Sequence, residues 1–315
     1  MYFIKRAYLS FSILFITLNA TSALGKTKSI QANLLTGLTR NSNIHEMTNQ
    51  DLEIFDEYQS QYKSKDATSY DTELTIDKTF LIDNLSINPQ IGGYNKQMLD
   101  RFFSYYDTRY VTTGLELSYT LNDRYSLALE YHYYIEQWKN SSKNYYTYQN
   151  YSSPKISLEN NTNLGVVTLK LPFEYHSYKG AYKTFDWSSY IEFSPNLNES
   201  PVSVSFSIGG GQIHETVDIS ETKTKSSMSS ALIDLMWEIT NNLSISPSVE
   251  YSRYKNSNDE YYYNASTHQI DVKYYLNAHP ELEMILSISN KDGRYKSGAE
   301  IEIDELSFKI SYSTK

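Results

Sequence analysis

Three histidines have neighbours that could do chemistry. His176 precedes Ser177 in YHSYKG, a base beside a hydroxyl and so a weak cue for a lipase or protease. His132 stands between Glu130 and Tyr134, and His214 opens HETVD. A histidine among carboxylates serves either as an acid sensor or as a solvated lining residue. No companion motif supports hydrolysis. The chain has no glycine-rich phosphate loop, no metal-ligand spacing and no cysteine. Catalytic, cofactor-binding and metal-binding residues are therefore assigned to none, and the chain is not read as an enzyme.

The carboxylates are more informative because of where they recur. In LELSYTLNDRYSLALEYHYYIE, residues 115–136, leucines and tyrosines alternate with polar and charged residues, with Asn122 and Asp123 between the two runs. A period of two is that of a β-strand, whose successive side chains point to opposite faces. Each strand here is greasy on one side and charged on the other.

The start of the chain narrows the setting. Lys5 and Arg6 precede an apolar run from Ala7 to Leu18 and then the small-residue stretch NATSALGK. This is the pattern of a secretory signal peptide, taken as residues 1–25, with residues 26–315 as a single mature domain. No other apolar stretch is long enough for a membrane helix, which needs roughly 20 residues. Mean hydropathy is −0.54. A membrane barrel keeps such a low average because only alternate strand residues meet lipid.

The net charge of −9 becomes more negative once Lys5 and Arg6 leave with the leader, which argues against a nucleic-acid partner. Tyrosine, at 31 of 315 residues, suits both bilayer interfaces and a polar lumen.

Alternation and turn residues together mark fourteen strands, with twelve or sixteen as the next counts. They start at 28–39 and 70–82, separated by a long loop from Asn41 to Ser69, and end with a strand through Leu306, Phe308, Ile310 and Tyr312. KNSSKNYYTYQNYSSPK reads as a second long loop, HETVDISETKTKSS as another and NKDGRYKSG as the last, leaving only a short sixth strand around Ile156 and Leu158. NLSINPQI at 84–91 is echoed by NLSISPSV at 242–249, each with a proline inside a strand. Lys78 falls on the apolar face, where its ammonium would snorkel to headgroups. An even strand number puts both termini on the periplasmic side. The expected fold is all-β, a transmembrane antiparallel up-and-down β-barrel in the bacterial outer membrane.

Parity then gives the inner face. It includes Glu73, Asp77, Glu116, Glu130, Glu136, Glu174, Asp186, Glu192, Asp234, Glu238, Glu250, Asp271 and Glu283, against Arg124, Lys170, Lys273 and Lys309, with His132 and Tyr134 among them. Ser203, Ser205, Ser207 and Gly209 are small inward residues that leave space. A fourteen-stranded barrel is wider than the eight-stranded kind that side chains fill. The expectation is a water-filled channel for small hydrophilic solutes, cation-preferring because of its carboxylates. Tyr110, Tyr134 and Tyr254 offer stacking surfaces for sugar rings. The alternative is a closed barrel serving adhesion or surface interaction through its long first and tyrosine-rich third loops.

Signal peptide, fourteen strands, acidic tyrosine-rich faces and Asn-Asp turns resemble the monomeric outer-membrane porins of the OmpG type. That resemblance implies a single-chain channel for small solutes, including sugars, with an extracellular loop that can close it. The twelve-stranded KdgM type, for acidic oligosaccharides, is the nearest rival but wants a basic lumen. One departure is at the end, where Ser313, Thr314 and Lys315 follow Tyr312 and such barrels usually finish on an aromatic residue.

Overall fold

In the computed structural model the described residues are 26–42, 66–99, 107–139, 145–178, 182–197, 200–217, 222–256, 262–276 and 279–314. The predicted signal peptide and most of the predicted first loop lie outside them. The strands are β1 (Lys26–Asn41), β2 (Ala67–Ile82), β3 (Leu85–Met98), β4 (Thr108–Thr120), β5 (Tyr125–Lys139), β6 (Tyr145–Thr162) and β7 (Gly165–Tyr178). They continue as β8 (Tyr182–Pro195), β9 (Val202–Val217), β10 (Thr222–Thr240), β11 (Leu243–Asn256), β12 (Tyr262–Leu276), β13 (His279–Tyr295) and β14 (Glu300–Ser313).

Each strand pairs antiparallel with its sequence neighbours, and β14 returns to β1 through Asn33–Ser313 to Asn41–Glu305, closing the barrel. Closure removes the open edge that would leave N–H and C=O groups unpaired in hydrocarbon. At the seam, Ala32 N–H donates to Thr314 Oγ1 at 2.8 Å, and Thr314 N–H donates to the Ala32 carbonyl.

At the end where β1 begins and β14 finishes, the described connections include two-residue turns. Asp83 takes φ 49° in the two-residue Asp83-Asn84 connection, a conformation that Asp tolerates better than most residues. Between β4 and β5, Asn122 Oδ1 accepts the N–H groups of Arg124 and Tyr125 at 2.9 and 3.0 Å.

The outer face is apolar. Leu34, Leu74, Leu127, Leu129, Phe206, Leu306 and Phe308 are exposed there, and Ile191 and Ile208 keep 54% and 66% of their surface. Such a contiguous apolar belt is rare on a soluble protein and matches the lipid-facing band of a membrane barrel.

Several connections are shorter than the sequence suggests. The tyrosine-rich third loop is mostly strand: β6 begins at Tyr145, so the expected short sixth strand has 18 residues. Likewise β9 runs through His214 to Val217, β10 resumes at Thr222, and β13 extends to Tyr295, leaving a turn at 296–299. These polar strand tips lack alternating leucines because they need no lipid-facing side, and only their ladders reveal them.

The in-strand prolines also find an account. Pro89 pairs with Leu115 on one side, whereas β2–β3 pairing skips from Asp77–Gln90 to Phe80–Ile87 on the other. Pro247 repeats this: it pairs with Ile270, and β10–β11 pairing skips from Asp234–Ser248 to Trp237–Ile245. Proline has no N–H to donate, so the ladder is lost on one flank only. Lys78 sits at the first gap, its Nζ 5.2 Å from the Phe80 ring centroid.

Candidate channel lining

The face opposite the leucines is built by cross-strand partners that share one parity. Glu116 lies between Asn88 and Glu130, Glu136 between Tyr110 and Gln149, and Glu73 between Leu35 and Tyr94. Asp77 pairs with Gln31 and Gln90, Asp234 with Ser205 and Ser248, and Glu238 with Ser244. Glu250 pairs with Leu232 and Thr267, Asp271 with Ser246 and Ser287, Lys273 with Ser244 and Ile285, and Lys309 with Gly37 and Ile285. Arg124 is the exception. It lies in the exposed turn that Asn122 organises rather than on a strand face, and so leaves the lining set.

Two lysines offset part of the acidic charge. Lys155 Nζ is 2.7 Å from Glu130 Oε2, between strands β5 and β6, and Lys170 bonds to Glu192 across β7 and β8. Both pairs are partly exposed and screened, so each contributes little to stability. Lys155 escapes the sequence reading because it ends a stretch that looks like loop. Its pairing with Glu130 relieves the like-charge opposition of Glu116 and Glu130, which a sheet otherwise disfavours.

The feature that parity alone does not reveal is a continuous arc of rings. Tyr94 stacks on Tyr110 at 5.0 Å between centroids, Tyr110 meets Tyr134 edge-on at 5.8 Å, and Tyr134 stacks on Tyr151 at 4.1 Å. Tyr151 then stacks on His176 at 4.8 Å, His176 lies 6.1 Å from Tyr178, and Tyr178 stacks on Tyr182 at 4.1 Å. A branch adds Tyr148, edge-on to Tyr178 and stacked on Trp138 at 4.3 Å. The arc spans β3 to β8. Tyr254 belongs to a separate group on the other side, with Tyr263 at 6.0 Å and Tyr295 beyond it.

Carboxylates and amides hold the arc. Glu136 accepts from Trp138 Nε1 at 2.6 Å and from Gln149 Nε2, and Tyr94 Oη donates to Asp71 Oδ1 at 3.1 Å. Asp71 also accepts from Thr39 and Ser69, at 2.7 and 3.1 Å, and is itself buried. His132 joins by lying over Gly114, where an added Cβ would come within 2.4 Å of its Nδ1. Gly209 similarly leaves room for the Tyr190 ring. A glycine opposite an aromatic residue on a neighbouring strand is a recurrent sheet device. His214, which the sequence puts near a rim, is paired with Phe185 and Lys225 and so does not share the parity of the arc.

His176 is drawn into a polar cluster. Its Nε2 lies 3.1 Å from Glu174 Oε2 and its Nδ1 3.3 Å from Gln149 Oε1. The Ser177 beside it points to the opposite face, because strand neighbours alternate, so the pair forms no nucleophile and base. Asp186 is the cross-strand partner of Glu174.

The fold defines the class: a closed, antiparallel, up-and-down β-barrel with an apolar outer belt, the architecture of transmembrane barrels. No family model and no curated protein sequence matches the chain. Among solved structures, the chain is similar to OmpT, an outer membrane protein of Vibrio cholerae, with a TM-score of 0.54 and 6% identity over 92% of this chain and 100% of that one. It is also similar to the outer membrane channel DcaP of Acinetobacter baumannii, with a TM-score of 0.53 and 7% identity over 93% and 99% of the two chains. A Pseudomonas aeruginosa FadL homologue aligns with a TM-score of 0.50 and 9% identity over 90% of each. At such identities the likeness is one of fold.

Proposed function

We propose that this barrel is a porin: a monomeric, water-filled, cation-preferring channel for passive diffusion of small hydrophilic solutes, with oligosaccharides as the favoured class. One observation carries the reading, the arc from Tyr94 to Tyr182 with Glu136, Glu174 and Asp186 on the same face. Flat rings suit the apolar faces of pyranose rings, and adjacent carboxylates accept hydrogen bonds from hydroxyls. Carboxylates lining a pore raise the local concentration of cations and repel anions. The channel named among the similar folds supports this reading, as does the resemblance to the OmpG type.

The purified barrel in a planar bilayer tests it. A salt gradient gives a reversal potential of the sign expected for cations, and liposomes swell with small sugars but not with large ones. No conductance, or a preference for chloride, overturns the proposal.

A further inference from the structure

We infer that Glu174, His176 and Asp186 form a binding site for a divalent first-row transition cation on the inner face. One ligand atom from each residue lies within 4.8 Å of the other two. Glu174 and His176 are two apart on β7 and so share a face, and Asp186 is delivered opposite Glu174 by β8. Metal–ligand distances of roughly 2.1 Å place tetrahedral ligands about 3.4 Å apart. The His176–Glu174 separation of 3.1 Å is already near that value, and Asp186 offers an oxygen within 4.8 Å of both.

The ring is held from behind by Gln149. Gln149 Nε2 donates to Glu136 and its Oε1 lies 3.3 Å from His176 Nδ1, which leaves His176 Nε2 facing the Glu174 carboxylate. Asp186 adds a second, independent indication: its Oδ1 is buried with no hydrogen-bond partner, although it faces a like-charged cross-strand neighbour. Sheets disfavour such opposition, and a divalent ion reverses its sign.

The ring is also prepared for ligation. Tyr151 and Tyr178 flank His176 at 8° and 14° from parallel, so its plane is set before any ion arrives. Gln149 orients it in the way that partners behind a ligating histidine do. One imidazole with two carboxylates suits zinc, cobalt, iron or manganese more than copper(I) or magnesium. Three protein ligands leave positions for water, so an ion there would stand beside the aromatic arc with exchangeable sites.

The test uses the full barrel, folded in detergent, with Co²⁺ as the probe and Zn²⁺ as competitor, so its outcome does not depend on whether the barrel conducts. Visible absorption bands of tetrahedral or five-coordinate Co²⁺ are expected to appear with one equivalent and to vanish on adding Zn²⁺. His176→Ala and Asp186→Asn abolish them, and Gln149→Leu weakens affinity by about 10–100-fold. His268→Gln, on the exposed outer parity of β12, leaves the titration unchanged. Circular dichroism of each variant must keep the wild-type sheet signal. If the wild-type barrel gives no Co²⁺ spectrum, or His176→Ala binds as wild type does, the inference fails.

Discussion

Tyr134 and Tyr151 stack face to face across β5 and β6, with ring centroids 4.1 Å apart and planes 5° from parallel. They stand at the middle of the arc, with Tyr110 on one flank and His176 on the other. Such a pair is worth about 0.5–1.5 kcal/mol beyond the area it buries. Tyr151→Ala removes one stacking face and leaves its neighbour unsupported, and is expected to weaken saccharide block of the single-channel current and to speed swelling with unhindered solutes. Tyr254→Ala, in the separate ring group, changes block less. Equal effects of the two substitutions would remove the arc as the binding track.

Charge selectivity should follow the carboxylates one at a time. Glu116→Gln and Glu136→Gln each move the reversal potential toward zero, and the double variant moves it further. Lys155→Met moves it the other way, because it frees Glu130 from its partner. The opposite sign for Lys155→Met would count against an acidic pathway.

Gly114→Ala puts a methyl group where His132 lies, within 2.4 Å of Nδ1. Overpacking of this kind costs about 1–3 kcal/mol. The variant is expected to unfold at lower urea concentration, and His132→Ala in the same chain should recover most of the loss. Absence of recovery would show that the ring is not what the methyl meets.

Asp107, almost wholly buried, ties together the ends of three strands. Its Oδ1 accepts Met98 N–H at 2.7 Å, and its Oδ2 accepts Lys139 Nζ at 2.6 Å. That hydrogen bond holds the Lys139 ammonium above its usual pKa. Asp107→Ala leaves a buried N–H without its acceptor, at a cost of about 1–3 kcal/mol. Hydrogen exchange should quicken at Met98 and in the tips of β3 and β5. Unchanged protection there would argue that other contacts hold these tips.

The two faces can be told apart directly. A spin label at Leu127 should be quenched by oxygen in lipid, and one at Glu130 by a water-soluble nickel chelate, because the residues lie on opposite sides of β5. Identical accessibility at the two positions would contradict the barrel's assignment of inside and outside.

Strand number and facing were legible in the sequence wherever lipid demanded leucine on every second position, as from Leu115 to Ile135. Hydrocarbon acts on each strand separately, so its demand is written locally and can be read locally. The tight turns at Asp83-Asn84 and Asn122-Asp123 were readable for the same reason: backbone conformation there is decided within a few residues. The polar tips of β6, β9, β10 and β13 were not, because ladder pairing rather than burial makes them strands, and pairing involves a partner distant in sequence. Register also lay beyond the sequence. It alone brings Tyr134 onto Tyr151, Lys155 onto Glu130, and Asp186 beside Glu174 and His176. A one-residue slip would turn the inward groups of a strand toward lipid and its leucines toward the lumen, which the apolar pattern excludes; which inward residues then meet is decided by the ladders and their closure from β14 onto β1.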